Sequence, residues 1–349
     1  MSIDPAHDRL AQTRMGLRVA LAVATGFTAA LYFGAVMPFL GPLFAAQFLL
    51  SGARPAPIAK TIGAALVILV AGIAMLLLSA VLGDRPVPFL LLLGLTYFIC
   101  FAVQSTGKGG PAIFLIQVVA IIVPLFAILN NQLAGSILSI LITGVLSGTV
   151  LMWLAYAMLP EPHGPDDEEA TADDRPPDLR RALANTAILL ASVVICLTSN
   201  NLTAAAVIPI TVASLLGQLD MASSTRAAFG MVLVNLLGGL LASLAYALLS
   251  LRPSLLTVFV IVLITALVLG GRAAAQSADA KMYAGALTIF LTIFGLGVSP
   301  LPGSAGEAFA TRIVYVGGAL LYALLLAAVL WPRASNANGS SLKVTSVSE

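Results

Sequence analysis

Charge is what this 349-residue chain has least of: Asp, Glu, Lys and Arg make up 9% of it, against roughly 25% in an ordinary soluble domain. With 60% hydrophobic residues and a mean hydropathy of +1.04, that scarcity excludes a water-soluble fold. The two cysteines, Cys100 and Cys196, each lie in an apolar run and are spaced for neither a disulfide framework nor a metal. The two histidines, His7 and His163, lie in polar segments, so no His cluster for metal catalysis exists. No Asp or Glu falls in the middle of an apolar run, which excludes the buried carboxylate relay of a proton pump. The glycine-rich stretch Gln104–Pro111 (QSTGKGGP) lacks the GxxxxGK[ST] phosphate-loop pattern. No nucleophile stands beside a base. The chain is therefore expected to be no enzyme, to need no cofactor or metal, and to bind no nucleic acid.

What is present is a series of apolar runs, several reaching the roughly 20 residues that cross about 30 Å of hydrocarbon. They read as helices, because backbone polar groups in lipid must be satisfied within each segment; the alternation of a membrane barrel is absent. The first half carries runs at 16–33, 36–50, 58–82, 87–103, 111–129 and 133–159. The second carries 181–197, 203–216, 227–249, 254–269, 283–298 and 308–331. The expected fold is an all-α integral membrane protein of about twelve transmembrane segments. Segments 2 and 8 are short or broken, interrupted by Pro38, Gly41 and Pro42 and by Pro209.

Residues 1–15 form a polar segment without a cleavable signal pattern, and 16–159 the first membrane half. The acidic, Pro-rich linker 160–180 cannot build a core. Residues 181–332 form the second half, and 333–349 a Ser- and Asn-rich disordered tail. If all twelve segments cross, every Lys and Arg except Arg85, Arg252 and Arg312 falls on the side of the N-terminus. The positive-inside rule then places both termini in the cytoplasm.

The halves resemble each other. Leu17-Arg18-Val19-Ala20-Leu21-Ala22 is similar to Leu179-Arg180-Arg181-Ala182-Leu183-Ala184. Lys60 opens a run ending near Arg85-Pro86, and Arg226 opens one ending at Arg252-Pro253. An even number of crossings makes this a 6+6 parallel repeat about an axis along the membrane normal.

Solute sites in repeat transporters lie where helices are discontinuous and the repeats meet. That singles out Gln47 in segment 2 and Thr211 in segment 8. Basic groups at helix ends, Arg54, Lys60, Lys108 and Arg226, would draw an organic anion toward an inner vestibule; each is also what the positive-inside rule asks of any membrane protein. Gln104, Gln117, Asn185 and Asn235 are polar groups that either line a path or bond helix to helix. Proton coupling would have to use Asp220 or Asp279 at segment ends. The run Gly144-Val145-Leu146-Ser147-Gly148 matches the GxxxG pattern of close helix contacts and raises a homo-oligomer.

Arg14 to Ala22, the short second run, Lys60-Thr61-Ile62-Gly63 with Gly72 beyond it, and the two six-run halves together resemble the fusaric-acid-resistance and aromatic-acid-exporter superfamily. More narrowly, they resemble its compact DUF2955 members. The resemblance implies inner-membrane efflux of small aromatic or phenolic carboxylic acids. It also implies a periplasmic membrane-fusion adaptor and, in some cases, an outer-membrane channel. Lys60 and Arg226 match the basic residue that begins the third helix of each half. Larger relatives insert a soluble domain where this chain has only 160–180. The alternatives left open are an organic-anion channel of the same fold and a non-transporting scaffold subunit.

Overall fold

The computed structural model describes residues 5–51, 58–106, 110–129, 131–160, 178–198, 207–220, 225–275 and 279–299, together with Gly318, Leu321, Tyr322, Leu325 and Leu326. Among the described residues there are eleven helices and no strand. They are α1 (Pro5–Tyr32), α2 (Leu40–Ser51), α3 (Ile58–Leu82), α4 (Pro86–Ser105), α5 (Gly110–Leu129), α6 (Asn131–Met158), α7 (Leu179–Leu197), α8 (Val207–Asp220), α9 (Thr225–Leu251), α10 (Leu255–Ala273) and α11 (Ala280–Val298). Gly318, Leu321, Tyr322, Leu325 and Leu326 are also helical.

Among the described residues, six helices are long and apolar enough to cross a membrane; they lie within α1, α3, α4, α6, α7 and α10. The protein is an all-helical membrane protein. Helix α1 begins at Pro5, well ahead of the run expected from Gly16: hydropathy locates the apolar part of a helix, whereas polar helix formers extend it unseen. Helix α2 has only 12 residues and α8 only 14, about 18 and 21 Å at 1.5 Å per residue, less than the hydrocarbon thickness.

Local chemistry explains several boundaries. After α1, the Ala35 N–H bonds to the Ala30 carbonyl (2.9 Å) and the Gly34 N–H to the Leu31 carbonyl (3.1 Å). That six-to-one, five-to-two pairing needs a left-handed residue, and Gly34 supplies it at φ 70°. Pro38 precedes α2 and Pro42 lies in its first turn, where a missing N–H costs nothing, so the second segment is shortened rather than broken inside. Asp178 caps α7 by accepting from the Arg181 N–H, and Ser254 caps α10 by accepting from the Thr257 N–H. Inside α5, Pro124 cannot donate to the carbonyl of Ala120; the Tyr97 hydroxyl of α4 donates to that oxygen instead, at 3.1 Å.

The helices sort into two layers. Gln117–Ala127 of α5 and Leu40–Ala46 of α2 are buried on every side. Between Gly285 and Leu296 of α11 only Thr288 and Thr292 are less than fully buried. By contrast α3 turns Ile62, Leu66, Val70, Ile73 and Leu77 outward, and α10 turns out Leu256, Val260, Ile264 and Val268. Such apolar outer faces suit lipid and would be a liability in water. Helix α1 packs along α10, α4 along α7, α2 along α6 and α9 along α11; α3 packs against both α5 and α6. Contacts also join α2 to α11, α5 to α8 and α8 to α11. The GxxxG run is used within the chain. A Cβ on Gly148 would lie 2.7 Å from Phe44 Cβ and 2.9 Å from the Gly41 carbonyl oxygen, and one on Gly144 3.0 Å from Leu40 Cβ. These glycines seat α2 on α6.

Candidate functional site

Contacts between helix termini fix which helix ends lie together. At the end where α1 begins, here the basal end, Arg18 Nε donates to the Leu159 carbonyl just after α6 at 2.7 Å. There too Gly16 approaches Gly271 of α10. Arg272 Nη1 donates to the Tyr283 hydroxyl at 2.8 Å, joining the end of α10 to the start of α11. The Asp178 N–H bonds Ser105 Oγ (3.3 Å), joining the end of α4 to the start of α7. At the opposite, apical end the Ser299 hydroxyl donates to the Val36 carbonyl. Helices α5 and α11 therefore run from the basal end, whereas α2 and α8 run toward it.

Each of the four inner helices carries a polar side chain within about 14 Å of its basal end. Counting about 1.5 Å per residue from each helix's basal end, Gln47 of α2, Gln117 of α5, Thr288 of α11 and Thr211 of α8 lie about 6 to 14 Å in. Gln47 is half-buried and its Nε2 donates to Thr288 Oγ1 at 3.5 Å, a long bond across the α2–α11 contact. Thr288 Oγ1 in turn donates to the Ala284 carbonyl at 3.0 Å. Thr211 is buried on α8. Gln117 is 1% exposed, and neither its Nε2 nor its Oε1 has a hydrogen-bond partner among the described residues. An unpaired amide in a dry interior costs about 1–3 kcal/mol.

Apical to these residues the α1–α2–α11 junction is aromatic. Phe294 stacks on Phe290 and lies against Phe27, each centroid pair 5.5 Å apart, and Phe39 closes directly over Gly295. The inner helices thus place neutral donors and acceptors on the basal side of an apolar, ring-lined wall.

The remaining sequence candidates fall elsewhere. Gln104 sits near the basal end of α4, half-buried, its Oε1 without a hydrogen-bond partner among the described residues. Asp279 is exposed just before α11, its carbonyl accepting from the Met282 and Tyr283 N–H groups. Asn185 is buried on α7. Lys60, Asp220, Arg226 and Asn235 belong to α3, α8, α9 and α9, and their side chains lie outside the described residues. Arg54 and Lys108 lie outside them altogether, as do the linker 161–177 and the tail 333–349.

Sequence reasoning gave Arg18 no site role. It is fully buried, bonded to the Leu159 carbonyl, with its guanidinium 4.5 Å from the Tyr156 ring centroid. The last carbonyls of a helix carry its partial negative charge, so Arg18 caps α6 from α1. The signal was a cation placed inside the first apolar run. For Gln117 it was the one polar side chain between Pro111 and Asn130. An open cleft of about 370 Å³ lies elsewhere, on the outer layer, lined by Gln12, Thr13, Gly16, Leu17, Leu267 and Gly271.

Residues 15–158, the span of α1 to α6, match the model of a family described as "Protein of unknown function (DUF2955)". That description names no substrate. No curated protein and no solved structure matches the chain.

Proposed function

We propose that the chain is an inner-membrane efflux transporter for small aromatic or phenolic carboxylic acids. In this reading it is a secondary transporter of twelve crossings built as a 6+6 parallel repeat, working with a periplasmic membrane-fusion adaptor. What carries the reading is a pattern of contacts that survives exchange of the halves. Pairing α1 with α7, α2 with α8, α3 with α9, α4 with α10 and α5 with α11 turns α1–α10 into α7–α4, α2–α11 into α8–α5, and α3–α5 into α9–α11, and all six contacts are made. The tie from Arg18 on α1 to Leu159 after α6 has its counterpart in the Tyr322 hydroxyl, which donates to the Ile188 carbonyl of α7 at 3.0 Å. The helical residues around Tyr322 then stand for the twelfth segment. Alternating directions of the described helices support the twelve-crossing reading, in which the positive-inside rule makes the basal end cytoplasmic.

The function follows from where the halves meet. Two short inner helices and two longer ones carry amides and hydroxyls, and repeat transporters place their sites where the repeats meet. The exposed Arg14 and Arg272 at the basal end, with Lys60 and Arg226, would raise the local concentration of an organic anion. The inner-helix amides and the apolar side chains beside them would then receive it. The resemblance of residues 10–332 to aromatic-acid exporters supplies the substrate class. The test is efflux of benzoate and 4-hydroxybenzoate from cells with and without the chain, with and without a protonophore. Lys60→Ala and Arg226→Ala should each lower export at matched membrane protein. Export that continues under the protonophore and only ever runs down its gradient would assign an anion channel instead.

A further inference from the structure

We infer that Gln117 reads an uncharged hydrogen-bonding group of the transported acid, one that both donates and accepts, rather than its negative charge. This rests on the transporter reading above. Two contacts join inner helices of the two halves, and in each pair the first-half helix carries a glutamine and the second-half helix a threonine. In the α2–α11 contact, Gln47 bonds Thr288. On the equivalent α5–α8 pair, Gln117 has no hydrogen-bond partner among the described residues, while Thr211 is buried on α8. The repeat therefore holds one amide paired and the other open, both its N–H donor and its C=O acceptor enclosed and unused.

An open amide selects its ligand. It lacks a full positive charge, so seating a carboxylate there would leave an anion in a dry site, at a cost far above that of one unmade hydrogen bond. A hydroxyl matches it: a phenol donates to Oε1 and accepts from Nε2. So does an un-ionised carboxyl, through a two-bond ring. The shared chemistry is a neutral O–H group on an aromatic acid. Its charged end stays toward the basal cations and its ring lies along α5.

The experiment uses the full-length protein, purified, with unfolding temperature measured in benzoate, 4-hydroxybenzoate and phenol, and export measured in parallel. Wild type should be stabilised more by 4-hydroxybenzoate and phenol than by benzoate, and Gln117→Leu should lose that preference. Export of 4-hydroxybenzoate should fall about tenfold, the worth of one hydrogen bond near 1.4 kcal/mol, with benzoate export within about twofold. If the group read is instead the un-ionised carboxyl, benzoate stabilises wild type only as the pH falls toward the carboxyl pKa, and Gln117→Leu abolishes that gain. Without ligand, Gln117→Leu should unfold no lower than wild type, because leucine removes an unpaired amide. A lower unfolding temperature, or an unchanged preference in both assays, overturns the assignment. A wild type that shows the Gln117-dependent stabilisation but exports no aromatic acid sinks the transporter reading and leaves the assignment standing.

Discussion

The two halves share a contact pattern but not their chemistry. In the first half Arg18 is wholly buried and caps α6; of the corresponding residues in the second, Arg180 is exposed and Arg181 half-buried. The first-half helix α5 contains Pro124, whereas α11 contains no proline. On the inner helices the first half supplies Gln47 and Gln117, and the second Thr211 and Thr288. Both halves keep the shape, while the first holds the charged anchor, the backbone break and the amides. The family match follows the same division, covering 15–158 only. If the halves are the duplicates proposed above, only their helix contacts have to stay together, and the inner side chains are free to diverge.

The largest effect expected from that contrast lies at the buried cation. Arg18→Ala leaves the Leu159 carbonyl and the Tyr156 ring without their partner and opens a cavity, and should cost about 3 kcal/mol. Arg181→Ala, at a half-buried position, should cost under about 1 kcal/mol. Thermal unfolding of the two variants in detergent measures the difference. Equal losses would mean the halves are anchored alike and would remove the asymmetry at its strongest point.

A smaller effect tests the backbone break. Tyr97→Phe removes the hydroxyl that satisfies the Ala120 carbonyl and should cost about 1 kcal/mol. Pro124→Ala restores an N–H able to reach that carbonyl through the helix. Tyr97→Phe should therefore cost close to nothing in a Pro124→Ala background, a coupling that a double-mutant cycle reads directly. Additive losses would show that the tyrosine acts through packing alone.

Much of this was legible in the residues, and the physics says why. The scarcity of charge and the length of the apolar runs dictate membrane helices, and the observed α3, α7 and α11 begin and end within a few residues of their runs. Helix starts were less legible, because Pro5 to Met15 carry polar residues that prolong α1 without changing its hydropathy. Gly144 and Gly148 announced a close contact but not with whom; it is α2 of the same chain. The polar positions of the inner helices were half visible. Gln47 and Thr211 stood out in short segments, whereas Thr288 is indistinguishable in sequence from Thr292, since each donates to a carbonyl one turn back and only the fold places Gln47 beside one of them. That Gln117 has no hydrogen-bond partner among the described residues depends on helices as far as three elements and almost a hundred residues away, beyond what pattern carries.

The smallest effect is the one that separates the two contacts between inner helices. The Gln47–Thr288 bond is long, 3.5 Å, and side-chain hydrogen bonds between membrane helices average about 0.6 kcal/mol. A double-mutant cycle of Gln47→Leu with Thr288→Val should therefore return a coupling of about 0.5 kcal/mol in unfolding. The equivalent cycle, Gln117→Leu with Thr211→Val, should return none in the absence of ligand, because that amide is open. Adding 4-hydroxybenzoate should then create a coupling in the second cycle while leaving the first unchanged, since a ligand held by Gln117 lies against the helix that carries Thr211. A second cycle already coupled without ligand would mean that the two contacts are equivalent after all, and the site would lose the one-sidedness that gives it a direction.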